Sequence, residues 1–494
     1  MLKLVSSQAA LAADRLAEQE FGYPARMLME EAGIRLQDRL ERLLRKERLS
    51  RGVVYLTGSG NNGGDGWVMA RQAWLRGRQG VSVVSVFPPS SESCLWQEAL
   101  ARSLNIPVFR WPSAEAQNIL RAAAVWVDSL WGSGLTGPLR ADREAVLREL
   151  EALRSEESKP CLAVDVPSGL WEGWVSGDAV LRARWTLSPG WLKDFCFHPG
   201  AREFVGQPVA VPLAFPRAAL PSAELLEEGD LTSLLPPVAA GDHKGRRGHV
   251  ALVGGSPGMT GALILASRSA AAAGAGLVSL GIDPELTALV APQVAAFQVR
   301  GAADLIPHSS RYDALVVGPG WGRGGDRVGL LEELWATDLP LVIDADGLSA
   351  WAKSSFASRR APVVLTPHPG EFVRLGSGEA ASVSAAAALA RSRGVVVVLK
   401  GAVTWILGPD GRRSVWDGAN PALGTGGSGD CLAGVVGALL ARGLGGFEAA
   451  AGAVALHGTA GRELASQRGW FTADQLPEAL AKRSAACMAG LGPL

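Results

Sequence analysis

The sequence predicts an α/β protein built as two successive doubly wound parts. Three observations carry that prediction. Short apolar runs of β character alternate with helical stretches in both halves. Two glycine-rich loops follow such runs, VVYLTGSGNNGGDG from Val53 to Gly66 and NPALGTGGSGDCLAG from Asn420 to Gly434. Each ends in an aspartate at an expected helix start, Asp65 and Asp430, where free N–H groups and the helix dipole favour an anion. A proline-punctuated stretch separates the halves, from Pro212 through Pro216 and Pro221 to Pro236 and Pro237. It places a linker near residues 216–225, with domains over residues 1–217 and 225–494.

In the first half a helical segment, Ser7 to Arg48, precedes strands predicted at Val53–Thr57, Val81–Phe87, Ala123–Asp128 and Cys161–Val166. Helices are predicted at Gly66–Gly77 and Asp142–Arg154. In the second half the predicted strands are His249–Val253, Ala314–Val317, Leu341–Ile343, Val363–Thr366 and Val395–Leu399. Alanine-rich helices fill Gly261–Ala273 and Ala380–Arg391, and another runs on from Cys431 to Leu440.

Composition narrows the function classes. The 48 basic and 48 acidic side chains cancel, so no electrostatic pull toward nucleic acid or a membrane surface is expected. No apolar run reaches membrane-spanning length, and the opening segment carries Asp14 without a long apolar core, so no signal peptide is expected. Five scattered cysteines fit a reducing cytoplasm and no zinc site.

The first glycine loop matches G-x-G-x-x-G at Gly58, Gly60 and Gly63, a weak signal alone. A dinucleotide oxidoreductase also wants an acid at the end of the next strand, and here that strand ends in Phe87-Pro88-Pro89. Three strand ends instead bring Asn62, Asp128 and Asp165 toward one place, since open α/β sheets bind ligands at the carboxyl ends of their strands. The alternative, that these residues cap helices and turns, stays open for any one of them. LMEEAG at Leu28–Gly33, GSGNNGGDG, DSLWGSGLTG and AVDVPSG together resemble the YjeF N-terminal domain, the NAD(P)H-hydrate epimerase, a Rossmann-like doubly wound sheet. The resemblance covers roughly residues 5–215. It implies that Asn61, Asn62, Gly63, Gly64 and Asp65 hold the damaged nucleotide. It assigns the same task to the loop of Gly132, Ser133, Gly134, Leu135, Thr136, Gly137 and Pro138. It makes Asp165 the acid/base at the reacting ring and puts a potassium ion (K+) at Asn62, Asp128 and Ser168. Glu31 stands where the family has asparagine. The segment Trp185–His198 departs from the usual strand, with Lys193 standing in for the family's lysine.

In the second half, GGSPGMTG at Gly254–Gly261 lacks the Lys-Ser/Thr ending of a Walker A loop. The loop GTGGSGD at Gly424–Asp430 supplies a different anion cradle, with Asp430 placed to take a proton from a substrate hydroxyl. A glycine-rich turn with a capping aspartate is the plain alternative. The blocks HKGRRGHVALVGGS, VVGPGWG, IDADGL, LTPHPGE and LKGAVT, in this order, resemble the YjeF C-terminal domain, the ADP- or ATP-dependent NAD(P)H-hydrate dehydratase of ribokinase-like fold. This resemblance covers roughly residues 225–490. It assigns Lys400, Gly401, Ala402, Val403, Thr404 and Gly429 to ADP or AMP. It assigns Ala262, Gly320, Gly322, His368 and Asp430 to the hydrate. It further implies Mg2+ on the nucleotide phosphates, NADHX and NADPHX as substrates, and a homo-oligomer. Trp321 replaces the family's leucine, and Cys431 its valine. Two other readings remain: a ribokinase-like kinase of a vitamin alcohol using the same base, and a first half that binds nucleotides without turning them over.

Overall fold

A computed structural model describes residues 1–49, 52–214, 219–239, 241–322, 324–375 and 380–486. Pro216 and Cys487 lie outside the described residues. The chain divides into two compact units, Lys3–Ala223 and Glu224–Leu494, the latter including Met1–Leu2.

The first unit holds a parallel sheet in the order Val108–Arg110, Val81–Ser85, Val53–Thr57, Val125–Ser129, Cys161–Val164, Trp185–Pro189, Gln207–Val211. The chain runs outward from Val53–Thr57 in one direction, then returns to its other side at Val125–Ser129. The crevice between these two strands is the switch point where such sheets bind ligands. The strands are continuous apolar runs because both faces are covered. Helix Ala25–Lys46 buries Leu36, Leu40, Leu43 and Leu44 at helical spacing on one face. Helix Ala141–Glu156 buries Leu147, Leu150 and Leu153 on the other. Each of these leucines contributes about 1.5–3 kcal/mol of burial.

The predicted helical segment Ser7–Arg48 is two helices, Ser7–Gln19 and Ala25–Lys46, broken where Gly22 takes a positive φ and Pro24 follows. The helix expected from Gly66 begins earlier, at Asn61, so Asp65 sits in its second turn rather than at its start. The segment Trp185–His198 does supply a strand, Trp185–Pro189, and then the short strand Leu192–Lys193.

The second unit has the order Gln298–Gly301, Leu277–Ile282, His249–Val253, Ala314–Val317, Leu341–Ile343, Val363–Leu365, Val396–Leu399, all parallel. An antiparallel hairpin, Val403–Leu407 and Arg413–Asp417, continues it. Its switch point lies between His249–Val253 and Ala314–Val317. Helices Thr260–Ala272 and Ser428–Ala441 pack so closely that a Cβ on Gly434 would lie 2.0 Å from the Ala266 carbonyl oxygen. Helix Gly446–Arg468 is buried nearly all round over its first four turns, as its run of alanines requires.

Candidate functional sites

In the first unit the switch point gathers the three predicted polar residues. Asp128 sits inside strand Val125–Ser129, and Asn62 opens the helix after the neighbouring strand. Gly132 lies between Asn62 and Asp165. A Cβ there would come within 2.7 Å of Asp165 Oδ2 and 3.1 Å of Asn62 Oδ1. The glycine is needed for these groups to meet. Asp165 itself adopts φ +71°, a costly conformation for a residue with a side chain. Backbone bonds hold it there: its amide donates to Leu187 O at 2.7 Å, and Ser188 donates its hydroxyl to the Asp165 carbonyl.

Both oxygens of the Asp165 carboxylate are engaged. Lys193 donates to Oδ1, and the Ser133 amide donates to Oδ2 at 2.7 Å. Burial opposes its charge, but Lys193 and Ser133 outweigh that and hold the carboxyl below the usual range. Lys193, buried on the short strand Leu192–Lys193, therefore faces Asp165 as a fixed counter-ion. Asp128 is different. Ser168 donates its hydroxyl to Oδ1 at 2.5 Å and its amide to Oδ2 at 2.8 Å, and the Leu130 amide donates to Oδ1 at 3.2 Å. Burial still pushes it up to about 6, and the charged neighbour that acts on it, Glu151, is itself acidic. This hard-oxygen group, buried without a cation among its described partners, fits a monovalent ion. Glu31 pairs with Arg35 at 2.8 Å and accepts from the Ala214 amide, so its charge is answered locally.

The glycines of GSGNNGGDG also serve packing. A Cβ on Gly63 would lie 2.0 Å from Gly58 O, and one on Gly66 2.0 Å from Ser129 Oγ. Gly134 and Gly137, in contrast, have open space where a Cβ would stand.

In the second unit a cavity of about 760 Å³ opens beside the start of helix Ser428–Ala441. Lys400, Gly401, Ala402, Thr404 and Gly429 line it, as does His368. Val403 does not: it is buried in the hairpin, because alternate strand residues face opposite ways. The other walls come from residues the sequence reading did not single out, among them Trp416, Leu432, Val454 and His457. His457 is buried, and desolvation pushes it down to about 4, so its ring is neutral.

Asp430 is the third residue of the helix. Burial, with Asp344 close by, pushes its carboxyl up to about 7, against the pull of Lys400. Of the predicted hydrate residues, His368 lines the cavity, and Ala262, Gly320 and Gly322 do not. Gly320 (φ +59°) packs so closely on Ala262 that a Cβ would lie 2.9 Å from the alanine's own. Gly322 (φ +72°) donates its amide to Asp346 Oδ2 at 2.9 Å, and Asp346 acts in turn on Asp430. His368 caps helix Pro369–Arg374. Its Nδ1 accepts from the Gly370 amide at 3.0 Å and the Glu371 amide at 3.3 Å, so the ring proton belongs on Nε2. Asp344, Asp346 and Glu371 were missed as site residues. The strand-end rule that singled out Asp128 and Asp165 would have found Asp344, which follows strand Leu341–Ile343. Cys431 is buried, burial pushes its thiol up to about 12, and Sγ donates to Ala473 O at 3.6 Å, which removes it as a nucleophile.

A glycine-rich helix start, a half-buried aspartate and a nucleotide-sized cavity define the second unit as a nucleotide-dependent α/β enzyme of ribokinase-like fold. A ribokinase-like superfamily protein from Enterococcus faecalis superposes on it with TM-score 0.51 and 26% identity, over 55% of this chain and 99% of that one. The family described as NAD(P)H-hydrate dehydratase matches residues 250–482, and the YjeF-related protein N-terminus matches residues 25–195. The bifunctional NAD(P)H-hydrate repair enzyme Nnr of Moorella thermoacetica is 34% identical over 92% of this chain and 91% of its own length. That of Thermofilum pendens is 35% identical with the same coverage. The chain belongs to the family of bifunctional NAD(P)H-hydrate repair enzymes.

Proposed function

We propose that the first unit, over residues 1–217, interconverts the R and S epimers of hydrated NADH and NADPH. The second, over residues 225–494, dehydrates the S epimer at the expense of ADP or ATP. The observation that carries the reading is Asp430. It is a carboxylate balanced near neutrality at a helix start, beside a cavity lined by the LKGAVT block and His368.

Hydroxide is a poor leaving group. Asp430 takes the proton of the hydrate's ring hydroxyl as that oxygen attacks the terminal phosphorus of the nucleotide. The shortened nucleotide departs. Phosphate then leaves the ring carbon with the electron pair of the C–O bond, pushed by the ring nitrogen, and loss of the neighbouring ring proton restores the double bond. The backbone amides of Gly429 and its neighbours face the phosphates, and Ala262, Gly320, Gly322 and His368 orient the hydrate. Asp344, Asp346, Glu371 and Asp430 outnumber the Lys400 ammonium, which suits a nucleotide arriving with Mg2+. When bound, that ion neutralises phosphate charge.

In the first unit Asp165, held ionised by Lys193, moves the proton at the reacting ring. The loop 132–138 and residues 61–65 cradle the nucleotide. Asn62, Asp128 and Ser168 would hold potassium, which supplies positive charge beside the bound phosphate or ribose. The reading includes a homo-oligomer in the cytoplasm. The described cysteines Cys94, Cys161, Cys196 and Cys431 are free, in keeping with a reducing compartment.

The test is recovery of NADH from a mixed-epimer NADHX sample with ADP or ATP. Equimolar phosphate release, abolished in Asp430→Ala, supports the dehydratase. A stable phosphorylated product, or no NADH with either nucleotide, overturns it in favour of a small-molecule kinase.

A further inference from the structure

Lys400 lies in the block read as holding the adenine nucleotide and lines the cavity, and its ammonium is engaged by carboxylates of the protein. Its amide donates to Pro367 O at 2.9 Å, which seats the residue next to the start of helix Pro369–Arg374. From there Nζ donates to Asp344 Oδ1 at 2.8 Å and stands 3.9 Å from Glu371 Oε2. Asp344 is itself almost fully buried, and the Thr366 hydroxyl donates to the same oxygen at 2.8 Å. The ammonium also abuts the turn that carries the base: a Cβ on Gly429 would lie 3.2 Å from Nζ.

Among the described residues, the charges that act most on Asp430 are three carboxylates, Asp344, Asp346 and Glu371, and one ammonium, Lys400. Each of these carboxylates disfavours a negative Asp430, and of the four groups Lys400 favours it. In a partly desolvated site these effects are large compared with those in water. The Lys400 ammonium is anchored on Asp344, so its charge is already answered by a buried carboxylate.

We infer that Lys400 is a positioning residue for the base: its ammonium, fixed on Asp344, keeps the Asp430 carboxylate ionised and is not a ligand of the nucleotide phosphates. The inference rests on Asp430 being the base.

The experiment compares full-length wild type with Lys400→Gln, Lys400→Arg and Asp344→Asn, following NADH recovery against pH at saturating ATP, with nucleotide KM measured alongside. In Lys400→Gln the acidic limb moves up by about one unit, with a roughly fivefold lower rate at pH 7 and an unchanged nucleotide KM. Lys400→Arg restores the limb. Asp344→Asn removes a repelling charge and moves the limb down. A purely structural role does not give opposite shifts. An unmoved limb with a nucleotide KM raised tenfold overturns the inference. If Lys400→Gln does not fold, the double variant Lys400→Gln with Asp344→Asn, which removes the buried pair together, is compared with Asp344→Asn alone: a higher limb in the double variant supports the inference and an identical one overturns it. If wild type returns no NADH, the dehydratase reading has failed instead. The Asp430 carboxyl is then titrated by difference infrared spectroscopy, its band identified by loss in Asp430→Asn. A higher apparent pKa in Lys400→Gln supports the inference, and an unchanged one overturns it.

Discussion

Two aspartates with opposite surroundings set the chemistry at the residue scale. Asp165 is held below the usual carboxylate range by Lys193 and the Ser133 amide, after burial has worked against it. Asp430 is pushed up to about 7 by burial and its acidic neighbours. A base must be ionised to accept a proton, so dehydration should rise as pH climbs through about 7 and level off above it; a rate profile at saturating nucleotide checks this. Asp430→Asn should lower the rate by about 10²–10⁴-fold. The same variant should be more stable than wild type at pH 8. The folded value of Asp430 lies above its unfolded one, so its charge is a burden fully present above about pH 7 and absent below about 4. The difference, about 2 kcal/mol after allowing for partial exposure, should fade as pH falls through that window in parallel thermal melts. Lys193→Met should act in the other direction. It strands the buried Asp165 charge, costs about 3 kcal/mol, and abolishes epimer interconversion, read by chromatography of the two epimers.

Glycines with different tasks separate at the element scale. Gly434 lets helices Thr260–Ala272 and Ser428–Ala441 touch backbone to backbone. Gly434→Ala should cost about 1–3 kcal/mol in urea unfolding. Gly426, in the loop before the second of these helices, has open space where a Cβ would stand. Gly426→Ala should leave stability within about 0.5 kcal/mol, because the added methyl meets no protein atom. Strands His249–Val253, Ala314–Val317 and Leu341–Ile343 were legible to the residue, since strands covered on both faces are unbroken apolar runs. Leu277–Ile282 was not. Its Gly281 weakens the strand pattern, yet a Cβ there would come within 2.5 Å of Leu305. The hairpin strand Val403–Leu407 was hidden under a motif already read as a binding loop. The polar residues of the candidate sites were legible where they lie at strand ends. The Lys400–Asp344 pair was not, because its partners are 56 residues apart and only the folded sheet brings them together.

The two proposed chemistries fall in separate compact units, and each acid belongs to its own. Asp165→Ala should therefore leave dehydration of the S epimer intact while the R epimer disappears only at its spontaneous rate. Asp430→Ala should leave epimerisation intact with no NADH formed. Chromatographic time courses of both epimers, run on the two full-length variants, check the pair. Loss of both activities in either variant would contradict the division of labour.

Trp321 has a practical consequence. It is a fully buried indole between Gly320 and Gly322, with the Arg327 guanidinium 5.3 Å over its ring. Dehydration restores the conjugation of the reduced nicotinamide, and the conjugated ring absorbs where indole emits. On the proposed reading, product formed at this turn drains light from Trp321 while the hydrate does not. The protein then carries its own optical clock, able to time product formation and product escape separately within one turnover.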